Sequence, residues 1–128
     1  MSETQAVTIL SRRFPGKRAF ITGAGSGLGR AIATELAAAG WQLGLLDVSA
    51  PRLAAAEAAL GAAGATLHTY AGDVADEAFV AASVGDFVRR AGGLDVMVNN
   101  AGVAAAGPVE TTPPSDWRWI TGINLFGV

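Results

Sequence analysis

The sequence contains no cysteine, and this absence excludes three kinds of chemistry at once. A chain without cysteine has no disulfide, no thiolate nucleophile and no Cys-ligated zinc site. There is one histidine, His68, so a metal site built from several histidines cannot form within one chain. His68 stands in an alternating, strand-like segment. We therefore interpret it as a strand residue near the surface rather than as the base of a Ser-His-Asp triad.

Excess positive charge and long apolar runs are also missing. The formal net charge is -2, whereas a nucleic-acid or anionic-membrane surface calls for a basic patch. No apolar stretch reaches the roughly 20 residues of a membrane span. Residues 1–14 lack the apolar block and small-residue cleavage site of a signal peptide. We expect a cytoplasmic protein with a flexible leader over residues 1–14, no nucleic-acid partner and no membrane partner.

The remainder of the chain alternates between two patterns. Short apolar runs at 18–22, 42–47, 66–73 and 94–100 predict strands, and the segments between them have helical spacing. Such alternation favours a parallel sheet with right-handed crossovers. Helix boundary signals agree with this order. They are Gly40, Ser49 with Pro51, Asp76, Gly92 with Gly93, and Ser115 as the cap of a last helix running through 128.

A glycine-rich turn, TGAGSGLG at 22–29, joins the first predicted strand to the first helix. The G-x-G-x-x-G spacing is not satisfied, and the glycines instead follow G-x-x-x-G-x-G through Gly23, Gly27 and Gly29. Glycines at such a turn allow the backbone and the helix N-terminus to approach a pyrophosphate, to which Ser26 adds a hydroxyl donor. Taken alone, the turn is equally typical of a flexible connection.

Asp47 ends the second predicted strand, where the dinucleotide-binding pattern places an acid. Its carboxylate can accept hydrogen bonds from the adenosine ribose hydroxyls and would repel a 2′-phosphate. Neither Ser26 nor Val48 is a basic residue that would attract one. We therefore predict NAD rather than NADP. The alternative is a solvated residue at the end of a strand.

Directly after the fourth predicted strand stands NNAG, at 99–102. Together with TGAGSGLG, Asp47, GDV at 72–74 and INLFGV at 123–128, it makes residues 14–128 resemble the short-chain dehydrogenase/reductase family. The resemblance implies a Rossmann-type α/β fold, a doubly wound parallel sheet with about four strands present of a larger sheet. It also implies hydride transfer between a nicotinamide and an alcohol or carbonyl substrate.

The resemblance also implies roles for individual residues. The cofactor-binding residues would be Gly23, Ser26, Gly27 and Leu28 at the pyrophosphate with Gly29 in the same turn, Asp47 at the ribose, Asp73 and Val74 at the adenine, and Asn100, Ala101 and Gly102 in the cleft. Asn124 matches the asparagine of the family's Asn-Ser-Tyr-Lys catalytic set. Without the resemblance, Asn124 would be interpreted as a polar-face helix residue.

The family's Tyr-x-x-x-Lys pair is absent, since the only tyrosine is Tyr70 and the only lysine is Lys17. We expect residues 15–128 to be a dinucleotide-binding domain truncated within its fifth crossover region, inactive alone and a dimer or tetramer at full length. Two alternatives stay open. The chain is a complete, non-catalytic NAD or adenine-nucleotide module, or a remnant that folds only in an oligomer or with a complementing half.

Overall fold

The computed structural model describes the backbone of residues 2–128 and the side chains of all of these except Glu3 and Thr4. Helices and strands alternate from residue 18 onwards, as the sequence predicts. The elements are α1 Glu3–Arg13, β1 Arg18–Thr22, α2 Gly27–Ala38, β2 Gln42–Asp47, α3 Ala50–Ala62, β3 Leu67–Ala71, α4 Glu77–Ala91, β4 Val96–Val98, a short 3-10 helix Val109–Thr111, and α5 Pro114–Asn124.

The four strands form one parallel sheet in the order β3-β2-β1-β4. In the register, Ala19 of β1 pairs with Leu43 of β2 on one side and with Val96 of β4 on the other. The chain therefore extends the sheet first to one side of β1 and then to the other, which creates a topological switch point at its carboxyl end. The predicted Rossmann-type doubly wound fold is confirmed.

The core lies on both faces of this sheet. On one face Trp41, Ile21 and Leu45 pack with residues of α2 and α3. On the other face Phe20 and Phe87 pack edge to face, with ring centroids 5.7 Å apart. Because the strands are covered on both sides, their sequences are continuous apolar runs rather than alternating ones.

Residues 2–14 correct the expectation of a flexible leader, because they contain α1. Ser2 and Gln5 form a capping box at its start. Further along the helix, Val7 and Leu10 pack against the core, and the Ser11 hydroxyl accepts a 2.9 Å hydrogen bond from the buried Trp41 indole. The apolar residues of this segment stand at helical spacing, which is the signal that indicates the helix. Met1 lies outside the described residues, and the domain boundary at residue 15 stays a prediction.

Other expected boundaries hold in part. The Ser49 hydroxyl and the Asp76 carboxylate cap α3 and α4, and Gly92 ends α4 in a left-handed conformation. The structure contradicts Ser115 as a cap. Pro113 is the N-cap of α5, and Pro114 occupies the first helical position, which proline fits well. Ser115 therefore lies inside the first turn.

Three element ends also differ from the sequence expectation. Helix α5 ends at Asn124 rather than at 128, where Leu125 and Phe126 both donate amide hydrogen bonds to the Thr121 carbonyl. Strands β3 and β4 are shorter than the apolar runs that predict them, at Leu67–Ala71 and Val96–Val98. Both lie at edges of the sheet, where ladder hydrogen bonds form on one side only. Within residues 2–128, none of the helices has the length and apolar character needed to cross a bilayer.

Candidate functional site

The carboxyl ends of the strands surround one cavity of about 390 Å³. All of the predicted cofactor-binding residues line it except Gly29. The complete lining is Gly23, Ser26, Gly27, Leu28, Leu46, Asp47, Val48, Arg52, Gly72, Asp73, Val74, Asn100, Ala101, Gly102, Val103, Trp119 and Ile123. Segments separated by dozens of residues meet here because parallel strands bring their carboxyl ends to one edge.

The glycine turn has a conformation that requires its glycines. Gly23 and Gly27 have φ values of +65° and +54°, a region that side chains disfavour. A Cβ on Gly29 would collide with the Gly23 carbonyl oxygen, so Gly29 allows α2 to approach β1 closely. The Ser26 hydroxyl makes no cap hydrogen bond, and the first amide that bonds back into α2 is that of Arg30, at 3.2 Å from the Ser26 carbonyl oxygen. The preceding amides are placed to bind an anion.

Asn100 connects β4 to this turn. Its Nδ2 donates to the carbonyl oxygens of Thr22 at 3.1 Å and of Gly23 at 3.3 Å. In return, the Thr22 hydroxyl accepts the amides of Asn100 at 3.1 Å and Ala101 at 3.0 Å. Asn100 therefore holds the glycine turn in shape while it borders the cavity. Sequence reasoning did not identify the role of Thr22, whose buried hydroxyl accepts these two amides, although this threonine is the first residue of the TGAGSGLG motif.

Asp47 is held by two backbone amides. Its Oδ2 accepts the Gly25 amide and its Oδ1 accepts the Ser49 amide, each at 2.9 Å, and the residue is 6% exposed. The carboxylate thus joins the end of β2 to the glycine turn and to the start of α3. Each oxygen keeps acceptor capacity for a ribose hydroxyl.

The turn after β3 supplies Asp73 and Val74. The Asp73 carboxylate accepts the Ala75 amide at 2.9 Å, which is ordinary turn chemistry. Val74 is buried and packs with Ile123 of α5 in the second core cluster. This packing places α5 beside the cavity.

Asn124, the predicted catalytic residue, does not line the cavity. Its side chain makes two hydrogen bonds to the backbone of Val103, which does line it. This geometry supports a positioning role for Asn124.

Sequence reasoning missed two exposed side chains of the cavity, Arg52 and Trp119. Arg52 lies in the first turn of α3, and the first turn of a helix after a parallel strand lies at the carboxyl end of the sheet. That rule was a usable signal for Arg52. Trp119 carries no such signal, because its place depends on how α5 packs.

Neither Tyr70 nor Lys17 lines the cavity. The Tyr70 hydroxyl donates to Asp86 at 2.8 Å, and burial, with this hydrogen bond, raises the pKa of Tyr70 to about 12. The Lys17 amine donates to the Ala39 carbonyl oxygen at 3.1 Å. The two residues have structural roles here.

A larger, shallow depression of about 570 Å³ lies between α1 and α2, lined by residues such as Ser11, Lys17 and Glu35. It contains none of the motif residues and is not at the carboxyl edge of the sheet. The smaller cavity is the candidate functional site, because the motifs meet there.

Comparison with known proteins gives a consistent result. The sequence model of the family described as short chain dehydrogenase matches residues 17–128. The chain belongs to the short-chain dehydrogenase family. Among its relatives, D-threitol dehydrogenase of Mycolicibacterium smegmatis is 37% identical, over 99% of this chain and 49% of that protein.

Solved structures of short-chain dehydrogenases superimpose well. One from Burkholderia phymatum in complex with NAD has a TM-score of 0.85 at 41% identity, covering 88% of this chain and 40% of that one. A metagenomic short-chain oxidoreductase in complex with NADP has a TM-score of 0.82 at 34% identity, covering 88% and 51%. The chain thus spans about half the length of the relatives it matches.

Proposed function

We propose that this chain is the cofactor-binding part of an oxidoreductase that transfers a hydride between a nicotinamide dinucleotide and an alcohol or carbonyl compound. One observation is the main support for this proposal. A single cavity is bordered by the glycine turn, Asp47, the Gly72–Val74 segment and the NNAG segment. Membership of the short-chain dehydrogenase family supports the reaction class.

The residues present fit a dinucleotide. The free amides at the start of α2 and the Ser26 hydroxyl suit a pyrophosphate, and the Asp47 carboxylate suits ribose hydroxyls. The nicotinamide supplies the hydride-accepting chemistry when it is bound. The chain's own residues bind and orient the dinucleotide, and the NNAG segment borders the cavity at the end of β4.

The test of this site is a substitution that separates binding from folding. Ser26→Asp introduces a good N-cap residue at α2 and a negative charge where we place the pyrophosphate. We expect the melting temperature to stay level or rise, while calorimetric NAD affinity falls more than about tenfold. Ser115→Asp, at an exposed first-turn position of α5 that does not line the cavity, is the matched control. Unchanged NAD affinity in Ser26→Asp contradicts the proposal.

We propose that NAD is preferred over NADP, because Asp47 would repel a 2′-phosphate. The neighbouring Val48 is 75% exposed and lines the cavity, so Val48→Arg adds a cation without disturbing the core. We expect this variant to bind NADP more tightly relative to NAD. If the NADP-to-NAD affinity ratio does not rise, the interpretation of Asp47 is wrong. Asp47→Ala is a less selective test, because Asp47 also holds the Gly25 and Ser49 amides.

The second candidate function is a complete nucleotide-binding module without catalysis, and it is not favoured, because relatives of this chain are a dehydrogenase and a reductase. Both functions predict NAD binding by the 128-residue chain and no turnover by it alone. The two functions differ in the sequence that they predict beyond Val128. A reading frame that continues past Val128 with a serine and Tyr-x-x-x-Lys, and that reduces NAD with an alcohol, supports the enzyme. A natural stop codon at that point supports the module.

Assembly and location stay predictions. A dimer or tetramer is expected at full length, and light scattering of the full-length protein tests it. In the part of the chain that the structure describes, β4 pairs with β1 alone and β3 pairs with β2 alone, so both edges of the sheet have unpaired backbone groups. We propose a cytoplasmic location, and fractionation of expressing cells is its test.

A further inference from the structure

Arg52 stands at the Asp47 end of the cavity. It is the third residue of α3, and its backbone amide donates to the Ser49 hydroxyl at 3.3 Å. A Cβ built on Gly25 would lie 2.8 Å from the Arg52 Cβ and 2.9 Å from Asp47 Oδ2. The base of the Arg52 side chain and the Asp47 carboxylate therefore border the same part of the glycine turn.

The Arg52 guanidinium has no partner among the side chains and backbone groups that the structure describes. Ion pairs there involve Arg18 with Asp95, and Arg89 and Arg90 with Asp86. Arg52 is exposed and lines the cavity beside Asp47 and Val48. An unpaired guanidinium offers a fork of donors that matches the oxygens of a phosphate.

The adjacent carboxylate is less repulsive than a free one. Both Asp47 oxygens face backbone N–H dipoles, from Gly25 and Ser49, and these dipoles offset part of its negative potential. An anion near the ribose would share the cavity with this partly neutralised carboxylate and with the Arg52 side chain, whose guanidinium is unpaired among the described residues.

We propose that Arg52 is a specificity-determining residue that gives this cavity affinity for a 2′-phosphorylated adenosine, so that the preference for NAD over NADP is narrow. This inference rests on the proposed function, since it concerns the same cavity. Asp47 disfavours the 2′-phosphate, and Arg52 counteracts it. From the sequence alone, the positions considered for a basic residue that attracts a 2′-phosphate are Ser26 and Val48. Arg52 is a different position. It is reached because the first turn of α3 borders the end of β2.

Two small probes isolate the contact, 5′-AMP and 2′,5′-ADP, which differ by the 2′-phosphate. They are titrated calorimetrically into the wild-type chain, Arg52→Gln, and the control Arg118→Gln, which makes the same charge change at an exposed position of α5 that does not line the cavity. Glutamine preserves helix propensity, so Arg52→Gln is expected to melt like wild type.

We expect 2′,5′-ADP affinity to fall about tenfold in Arg52→Gln, with 5′-AMP affinity within about twofold and Arg118→Gln close to wild type. The difference in 2′,5′-ADP affinity between wild type and Arg52→Gln should shrink as salt is added, because the Arg52 guanidinium is exposed to solvent. An equal loss for both probes, or no loss for 2′,5′-ADP, overturns the inference. Wild-type binding of 5′-AMP without measurable 2′,5′-ADP binding overturns it while the proposed function stands. Binding of neither probe overturns both.

Discussion

The side chain of Asn124 makes a two-point hydrogen-bonded bridge to the backbone of Val103. Asn124 Oδ1 accepts the Val103 amide at 2.9 Å, and Nδ2 donates to the Val103 carbonyl oxygen at 2.8 Å. These two hydrogen bonds have the same donor and acceptor arrangement as a hydrogen-bonded residue pair in a β-sheet, with a side-chain amide in place of one backbone. It attaches the end of α5 to the segment after NNAG, at the border of the cavity. The predicted catalytic asparagine thus has a demonstrable positioning contact.

Removing this bridge should loosen the segment without unfolding the sheet. Asn124→Ala is expected to lower the free energy of unfolding by about 1 kcal/mol, since both bonds are exposed. The amide of Val103 should exchange its hydrogen faster. Asn99→Ala is the matched control, because Asn99 is exposed and its side chain makes no hydrogen bond among the described residues. Equal exchange at Val103 in both variants would contradict the assignment.

Asn100 should tolerate substitution poorly, because its Nδ2 faces two carbonyl oxygens. Asn100→Asp replaces a donor with an acceptor and should cost about 2 kcal/mol of unfolding free energy. NAD affinity should fall as the glycine turn loosens. Asn99→Asp introduces the same charge at the neighbouring exposed position and should melt close to wild type. A similar loss of stability in the two variants would mean that the charge, not the Thr22 and Gly23 contacts, is responsible.

The alkaline titration of Tyr70 is directly measurable, because it is the only tyrosine. Burial and the Asp86 hydrogen bond raise its pKa to about 12, so the phenolate absorbance should rise near that pH rather than near the ordinary value of about 10. Because the pKa of Tyr70 is higher in the folded chain than in the unfolded chain, this residue stabilises the folded state at pH values below its unfolded pKa. That stability should be lost as pH rises from about 10 to about 12.

The cause of this shift can be divided by mutation. Asp86→Asn removes the negative charge beside Tyr70 and should lower its pKa, while burial keeps it above the ordinary value. Asp116→Asn, on α5, should leave the titration unchanged. An unchanged titration in Asp86→Asn would show that burial acts alone.

Helix α1 should contribute to stability through the bond from Trp41 to Ser11. Trp41 is 1% exposed, so Ser11→Ala would leave a buried indole N–H without its acceptor, at a cost of about 1–3 kcal/mol in unfolding free energy. Ser115→Ala, at an exposed position, is the control for chemical denaturation. Equal midpoints in the two variants would mean that α1 does not pack on Trp41.

Trp119 should report ligand binding. Its indole lines the cavity and is 48% exposed, whereas Trp117 on the same helix is 49% exposed and does not line it. We expect NAD to change the tryptophan fluorescence of wild type and of Trp117→Phe, but not of Trp119→Phe. A full fluorescence change in Trp119→Phe would place the ligand away from α5.

Parts of this fold are legible in the sequence because local interactions specify them. The apolar runs of β1 and β2 have the predicted bounds, since these central strands are covered on both faces. The caps Ser49 and Asp76 satisfy nearby amides, and this depends on neighbours three residues away. The edge strands, the limits of α5 and the helix α1 were predicted less well. Their extent depends on contacts with distant segments such as Trp41 and Val74.

The motif spacing was sufficient to identify the family, the parallel sheet and the segments that border the cavity. Folding then assigned partners within that cavity. The Asp47 carboxylate bonds the Gly25 and Ser49 amides, the Asn100 amide holds the backbone of Thr22, and Arg52 is left unpaired beside them among the described residues. Local spacing places a residue on a strand end or in a helical turn. Hydrogen-bond partners depend on strand register and helix packing, which bring together residues far apart in the chain.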